Sequence, residues 1–314
     1  MHYSPLTLST HDAQMLHVNH WFADQPAKAV VLLAHGMAEH SLRYAKLAEH
    51  LLAHGVALYG LDQRGHGQSA NNAALGHYAD HNGWEKVVED IASLRQLIKQ
   101  RHPTLPVILL GHSMGSYIAQ AYLMKYSHHV QGAILCGSNY QSRWLYRAAR
   151  ILAGLERWRL GPTGRSQLIN RLSFGSFNQA FKPNRTEFDW LSRDAEQVDL
   201  YVTDPLCGFV CTTQMWCDFL DGLVQISSVK ALESIRADLP VLIIGGEQDP
   251  VSAGVRLKHL AHALSQAGLS NVSLKIYPKA RHELFNESNR AEVFNDLTHW
   301  LLPITAVQPT KECS

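Results

Sequence analysis

A short apolar run, Pro106-Val107-Ile108-Leu109-Leu110, passes without a break into Gly111-His112-Ser113-Met114-Gly115, and this junction constrains the fold more than any other part of the chain. A β-branched apolar run of this length reads as a buried strand, and G-x-S-x-G reads as a sharp turn from strand to helix. The turn needs small residues on both sides of the serine, because the backbone there is strained and closely packed, and Gly111 and Gly115 supply the room. Ala119-Gln120-Ala121-Tyr122-Leu123 continues in helical style. The pentapeptide alone is weak evidence, since glycine and serine are common. Its flanks make Ser113 a candidate nucleophile at the carboxyl end of a strand.

The rest of the chain repeats that alternation. Ala29 to Ala34, Val56 to Leu61, Val107 to Leu110, Ala133 to Cys136, Val241 to Ile244 and Val272 to Tyr277 are strand candidates. Tyr44 to Leu52, Trp84 to Gln100, Leu257 to Ala267 and Val293 to Leu302 carry apolar residues at helical spacing, as Val87, Ile91, Leu94 and Ile98 do in the second. Strands that alternate with helices imply a mainly parallel sheet covered on both faces. Leu6 to Ser9 and Met15 to Trp21 suggest an antiparallel start. The alternation stops at about Asn139 and resumes after Lys230, a stretch too long for an ordinary connection and helical in flavour. The organisation expected is an α/β core of residues 1–138 and 231–302, a helical cap insertion over residues 139–230, and a polar, disordered tail over 303–314.

A serine hydroxyl needs a histidine to take its proton and a carboxylate to hold that histidine. In a sheet of this kind the acid and the base follow the serine in chain order, each just past a strand end. Val241-Leu242-Ile243-Ile244-Gly245-Gly246-Glu247-Gln248-Asp249-Pro250 offers Asp249, and Leu274-Lys275-Ile276-Tyr277 leads to His282. Taken singly, Asp249 could be a turn or N-cap aspartate and His282 a surface histidine; the ordered set of three outweighs both readings. Glu247 is the competing acid, but Pro250 fixes Asp249 at the loop tip, and Glu283 points away from its neighbour on a regular backbone. An oxyanion needs two backbone N–H donors. Met114 supplies one at the start of its helix, and Met37, in the loop His35-Gly36-Met37 after the first buried strand, supplies the other.

These residues resemble the monoacylglycerol lipase and lysophospholipase group of α/β-hydrolases. The resemblance runs through His35-Gly36-Met37-Ala38-Glu39-His40, Arg43-Tyr44, Asp62-Gln63-Arg64-Gly65-His66-Gly67-Gln68-Ser69, the Gly111 to Gly115 turn, Asp249 and His282-Glu283-Leu284, and so covers most of the chain. It implies the α/β-hydrolase fold with a helical cap, no cofactor and no metal, and a small-molecule acyl ester or lipid as substrate. It also implies that Glu39 and Arg43 lie near the polar head-group end of the pocket, and that Asp62 to Ser69 is structural, with Arg64 and His66 tying it down. Trp144, Ala148, Ile151, Leu152, Leu155 and Trp158 form an apolar stripe flanked by Arg143, Arg147, Arg150, Arg157 and Arg159. Such a stripe either roofs the site or lies at a membrane surface, giving peripheral contact. Phe174 to Phe181 and Phe209 to Leu223 are expected to line the acyl pocket.

Composition narrows the alternatives. A net charge of +1 gives no reason to expect nucleic acid. Nineteen histidines are many, but none stands in a metal-ligand spacing, and Cys207, Cys211 and Cys217 read as small buried apolar residues. Five cysteines, no basic or apolar leader and no span of bilayer length fit a reducing, cytoplasmic setting. Rival readings are a serine aminopeptidase of the same fold, which would use cap acids such as Glu187, Asp189, Asp194 and Glu196 to hold an α-amine; an acyltransferase; and a non-catalytic binding protein that keeps the pocket.

Overall fold

A computed structural model of the chain describes residues 1–70 and 75–306. It contains, in order, β1 (His2–Tyr3), β2 (Leu6–Ser9), β3 (Met15–Phe22), β4 (Ala29–Ala34), α1 (Ala45–Ala53), β5 (Val56–Leu61), α2 (Gly83–Arg101), β6 (Val107–His112), α3 (Met114–Tyr126) and β7 (Gly132–Cys136). Five helices follow: α4 (Arg143–Leu160), α5 (Gln167–Phe174), α6 (Ala195–Thr203), α7 (Thr213–Ile226) and α8 (Val229–Leu232). The chain then returns to the sheet as β8 (Val241–Gly246), α9 (Val255–Gln266), β9 (Val272–Tyr277) and α10 (Arg290–Ala306).

The nine strands form one sheet in the order β1-β3-β5-β4-β6-β7-β8-β9, with β2 paired to β3. β3 runs antiparallel to β5, while β5, β4, β6, β7, β8 and β9 are mutually parallel. This is the mainly parallel sheet that the alternation of strands and helices implies. Every residue of β4, β5, β6, β7 and β8 is buried, as helices on both faces require. Val30, Leu32, Leu109 and Ile243 face the α2, α3 and α9 side, where Ile91, Ile118 and Leu260 meet them. Val31, Leu33, Ile108 and Ile244 face α1 and α10, against Leu47, Leu51, Val293 and Leu297. The parallel strands all end on one side, and a ligand crevice belongs at that carboxyl edge.

Two expectations change. The last helix does not stop at Leu302 but runs through Pro303 to Ala306, so residues 303–306 belong to α10, and the remainder of the expected tail, 307–314, lies outside the described residues. The stripe on α4 does not roof the site. The helix packs on α7 through Tyr146 and Ala153, while Trp144 and Trp158 are 74% and 86% exposed, with Ile151 and Leu155 beside them. The reason is visible in the sequence: Tyr146, Ala149 and Ala153 offer a flatter second face on which α7 can approach closely.

Candidate active site

Ser113 stands between β6 and α3 with φ of 51° and ψ of −120°, a conformation that a non-glycine residue adopts only when its surroundings enforce it. Those surroundings are the two flanking glycines. A Cβ on Gly115 would come within 2.0 Å of the Ala34 carbonyl oxygen, and one on Gly111 within 2.5 Å of the Gly115 carbonyl. The Ser113 N–H donates to the Cys136 carbonyl at 2.9 Å, which fixes the turn to the next strand.

The structure brings the three predicted residues together. His282 Nε2 is 2.9 Å from Ser113 Oγ, and His282 Nδ1 is 2.9 Å from Asp249 Oδ1. Asp249 and His282 are 1% and 2% exposed, so this chain of hydrogen bonds is shielded from competing water. Burial alone would push the Asp249 carboxyl up, but the charge and hydrogen bond of His282, with the Val251 N–H, hold it below the ordinary carboxylate range. Asp249 thus remains an anion that fixes the imidazole tautomer. Glu247 turns away and accepts the Lys279 N–H. Glu283 also points away, and both its oxygens meet Arg43.

The loop after β4 is held from both sides. His35 Nδ1 donates to the Gly36 carbonyl at 2.8 Å, because its Nε2 already accepts the Gln63 N–H. Gly36 N–H donates to Glu39 Oε1 at 2.5 Å. Across a trans peptide the carbonyl and the following N–H point in opposite directions, so the Met37 N–H faces away from His35. Among the described residues, neither the Met37 nor the Met114 N–H has an acceptor in the protein. Their side chains differ. Met37 lines the cavity, whereas Met114 is 1% exposed and its sulfur accepts a hydrogen bond from the Tyr78 hydroxyl, so only one of the two methionine side chains faces the cavity.

Gly36, Met37, Ser113 and His282 open into a cavity of about 1050 Å³. Its opposite wall comes from the segment between β7 and β8, notably Leu168, Phe174, Phe188, Trp190 and Phe209. Phe174 and Phe209 take the place expected of them, but Trp216 and Phe219 of α7 pack inward against Trp84, Tyr117 and Phe174. Glu39 lines the cavity; Arg43 does not, and it is paired with Glu39 and Glu283. Cys207, Cys211 and Cys217 are buried free thiols. Arg64 binds Asp90 and Asp12, and His66 binds the Arg64 carbonyl, which makes 62–69 the structural loop expected.

Some participants escape the sequence. His112 is buried, 3.1 Å from Glu39 Oε1, and its ring centroid lies 5.0 Å from that of His282. A histidine inside a continuous apolar strand must find a partner, and that was the available signal. The Trp190 ring packs against His282 at a tilt, with centroids 5.1 Å apart, and the Trp190 and Leu191 carbonyls accept the backbone N–H groups of His282 and Glu283. No local pattern marks Trp190 for that role.

Residues 25–289 match the family model described as serine aminopeptidase, S33. The chain is 30% identical over 285 residues to a monoacylglycerol lipase of Mycolicibacterium smegmatis, covering 90% of this chain and 91% of the relative. It is 27% identical over 311 residues to the monoglyceride lipase of Homo sapiens, covering 95% and 90%. In three dimensions it is similar to a thermostable carboxyl esterase from Bacillus coagulans, with a TM-score of 0.89, 24% identity and coverage of 97% of this chain and 99% of the other.

Proposed function

This chain belongs to the α/β-hydrolase family described as serine aminopeptidase, S33, and we propose that it is a serine hydrolase that cleaves lipid-type carboxylic esters, monoacylglycerols or lysophospholipids. The observation that carries this reading is the hydrogen-bonded line Asp249–His282–Ser113 opening into a cavity whose far wall includes Leu168, Phe174, Phe188, Trp190 and Phe209. Ser113 attacks the acyl carbonyl while His282 takes its proton. Asp249 orients and stabilises the imidazolium, and the Met37 and Met114 N–H groups hold the oxyanion. His282 then protonates the departing alcohol. Water, activated by the same histidine, releases the acid from the acyl-enzyme.

Residues 139–230 serve in this reading as the cap that selects the substrate. Its outer stripe of Trp144, Ile151, Leu155 and Trp158, rimmed by Arg143, Arg147, Arg157 and Arg159, is suited to the surface of a lipid aggregate. Among the described residues no helix is long and apolar enough to cross a membrane, so contact of this kind would be peripheral.

The family's description keeps a second reading alive, a serine aminopeptidase. It would need free acids facing the cavity. Asp189 is occupied by Arg185 and Thr186, Asp194 caps α6 and pairs with Arg290, and Glu196 sits in the first turn of α6 away from the cavity lining, which leaves Glu187 of these four on the cavity wall. The ester reading is therefore preferred. Labelling by a fluorophosphonate probe, with the modified peptide identified as the one carrying Ser113, tests the nucleophile; an unlabelled folded protein would favour a binding protein instead. A panel of p-nitrophenyl esters, monoacylglycerols, lysophospholipids and aminoacyl anilides tests the substrate. Preferential anilide cleavage would overturn the ester assignment.

A further inference from the structure

Buried charge around the site extends well beyond Asp249 and His282. Glu39, 2% exposed, accepts the Gly36 N–H and the Tyr44 hydroxyl through Oε1, at 2.5 and 2.8 Å, and faces His112 Nδ1. Its Oε2 accepts Arg43 Nη1 at 2.8 Å. Arg43 spans to Glu283, which accepts its two terminal nitrogens at 2.5 and 2.6 Å. Glu283 directly follows His282, and His112 directly precedes Ser113. One connected network thus reaches the oxyanion loop, the nucleophile strand and the loop of the base.

The charges within it balance only with His112 cationic. Two carboxylates face one guanidinium, and although burial works against an imidazolium, the Glu39 hydrogen bond and charge, helped by Glu283, raise the His112 pKa above its ordinary value. Burying so many charges is a poor way to gain stability, because apolar residues of similar shape would do as well or better. What such a network supplies is a fixed arrangement. With the Gly36 N–H held by Glu39 and its carbonyl held by His35, the peptide that carries the Met37 N–H cannot rotate.

We propose that Arg43 and Glu283 are positioning residues, which tie the oxyanion loop through Glu39 to the segment carrying His282. The proposal rests on the reading of Ser113 as nucleophile. It replaces a head-group role for Arg43, whose side chain is 10% exposed and spent on two glutamates.

The test uses the full chain with Glu283→Gln and Arg43→Lys, each assayed on p-nitrophenyl butyrate and for inhibition by an alkyl trifluoromethyl ketone, which forms a tetrahedral oxyanion on the serine. The expected result is a fall in kcat of roughly ten- to a hundredfold with KM changed by less than about twofold. The ketone's inhibition constant should rise in proportion to the loss in kcat/KM. A role in fold alone would lower the melting temperature without that proportionality. If Glu283→Gln does not fold, Arg43→Lys decides, since it keeps the charge and removes only the two-pronged contact. Unchanged kcat and ketone affinity in a folded variant overturns the proposal, and so does a rise in KM at constant kcat, which would return Arg43 to substrate binding. Failure of wild-type protein to label with a fluorophosphonate sinks the nucleophile reading and the proposal with it. Wild-type labelling matched by equally fast labelling of both variants sinks the positioning role alone.

Discussion

At the scale of single residues, the site divides into groups that react and groups that hold them. Ser113→Ala should reduce turnover of any accepted ester by at least about 10⁴-fold with an unchanged melting temperature, because the small side chain leaves the turn intact. Calorimetry beside steady-state rates checks both halves. Asp249→Asn is expected to cost about 10⁴-fold in kcat, since an amide can present its N–H to His282 and stabilise the wrong tautomer. A variant within tenfold of wild type would mean that another carboxylate orients the base. Asp249, His282 and Ser113 were legible in the sequence because each sits just past a strand end, and chain order carries that information. His112 and Trp190 were not, since their roles depend on contacts with Glu39 and with the His282 loop that only the folded chain creates.

Among elements, β6, the Ser113 turn and α3 behave as one unit with almost no tolerance. Gly115→Ala places a methyl group against the Ala34 carbonyl oxygen, where only a backbone shift could make space, so poor folding or loss of activity is expected in expression and circular-dichroism trials. The parallel strands were easy to read, because burial on both faces turns each into an unbroken apolar run. Helix α4 was harder. Periodicity reveals that a helix has an apolar stripe, but not whether the stripe or the small-residue face meets the rest of the molecule. Here α7 takes the face of Tyr146 and Ala153. The double variant Trp144→Ala, Trp158→Ala should lose most binding to anionic lipid vesicles in co-sedimentation, while hydrolysis of a short soluble ester stays near wild type. Undiminished vesicle binding would remove the interfacial role from α4.

For the molecule as a whole, stability should fall away on both sides of a mildly acidic optimum. Asp249 and Glu39 both titrate below the ordinary range when folded, Glu39 because His112 and Arg43 outweigh the penalty of burial. Their contribution is present above the unfolded carboxylate pKa of about 4 and is lost as pH falls through the lower folded values. Asp218 acts in the opposite sense. Burial pushes it up to about 6, so its contribution is complete below about 4 and disappears as pH rises through 6. Asp218→Asn should therefore raise the melting temperature at pH 8 and have little effect at pH 4; no gain at pH 8 would show that the carboxylate is solvated or paired when charged. The contacts from the Trp190 and Leu191 carbonyls to His282 and Glu283, and from Tyr201 and Gly208 to the Ala38 carbonyl, have a consequence for how such proteins diversify. The stretch that shapes the pocket also braces the machinery beneath it. Transplanting this stretch from a relative would exchange selectivity and catalytic competence together, unless those backbone contacts came across with it. The start of α5, where Gln167 and Leu168 line the cavity, makes none of these contacts, and it is there that sequence can drift toward new substrates at least cost to the rate.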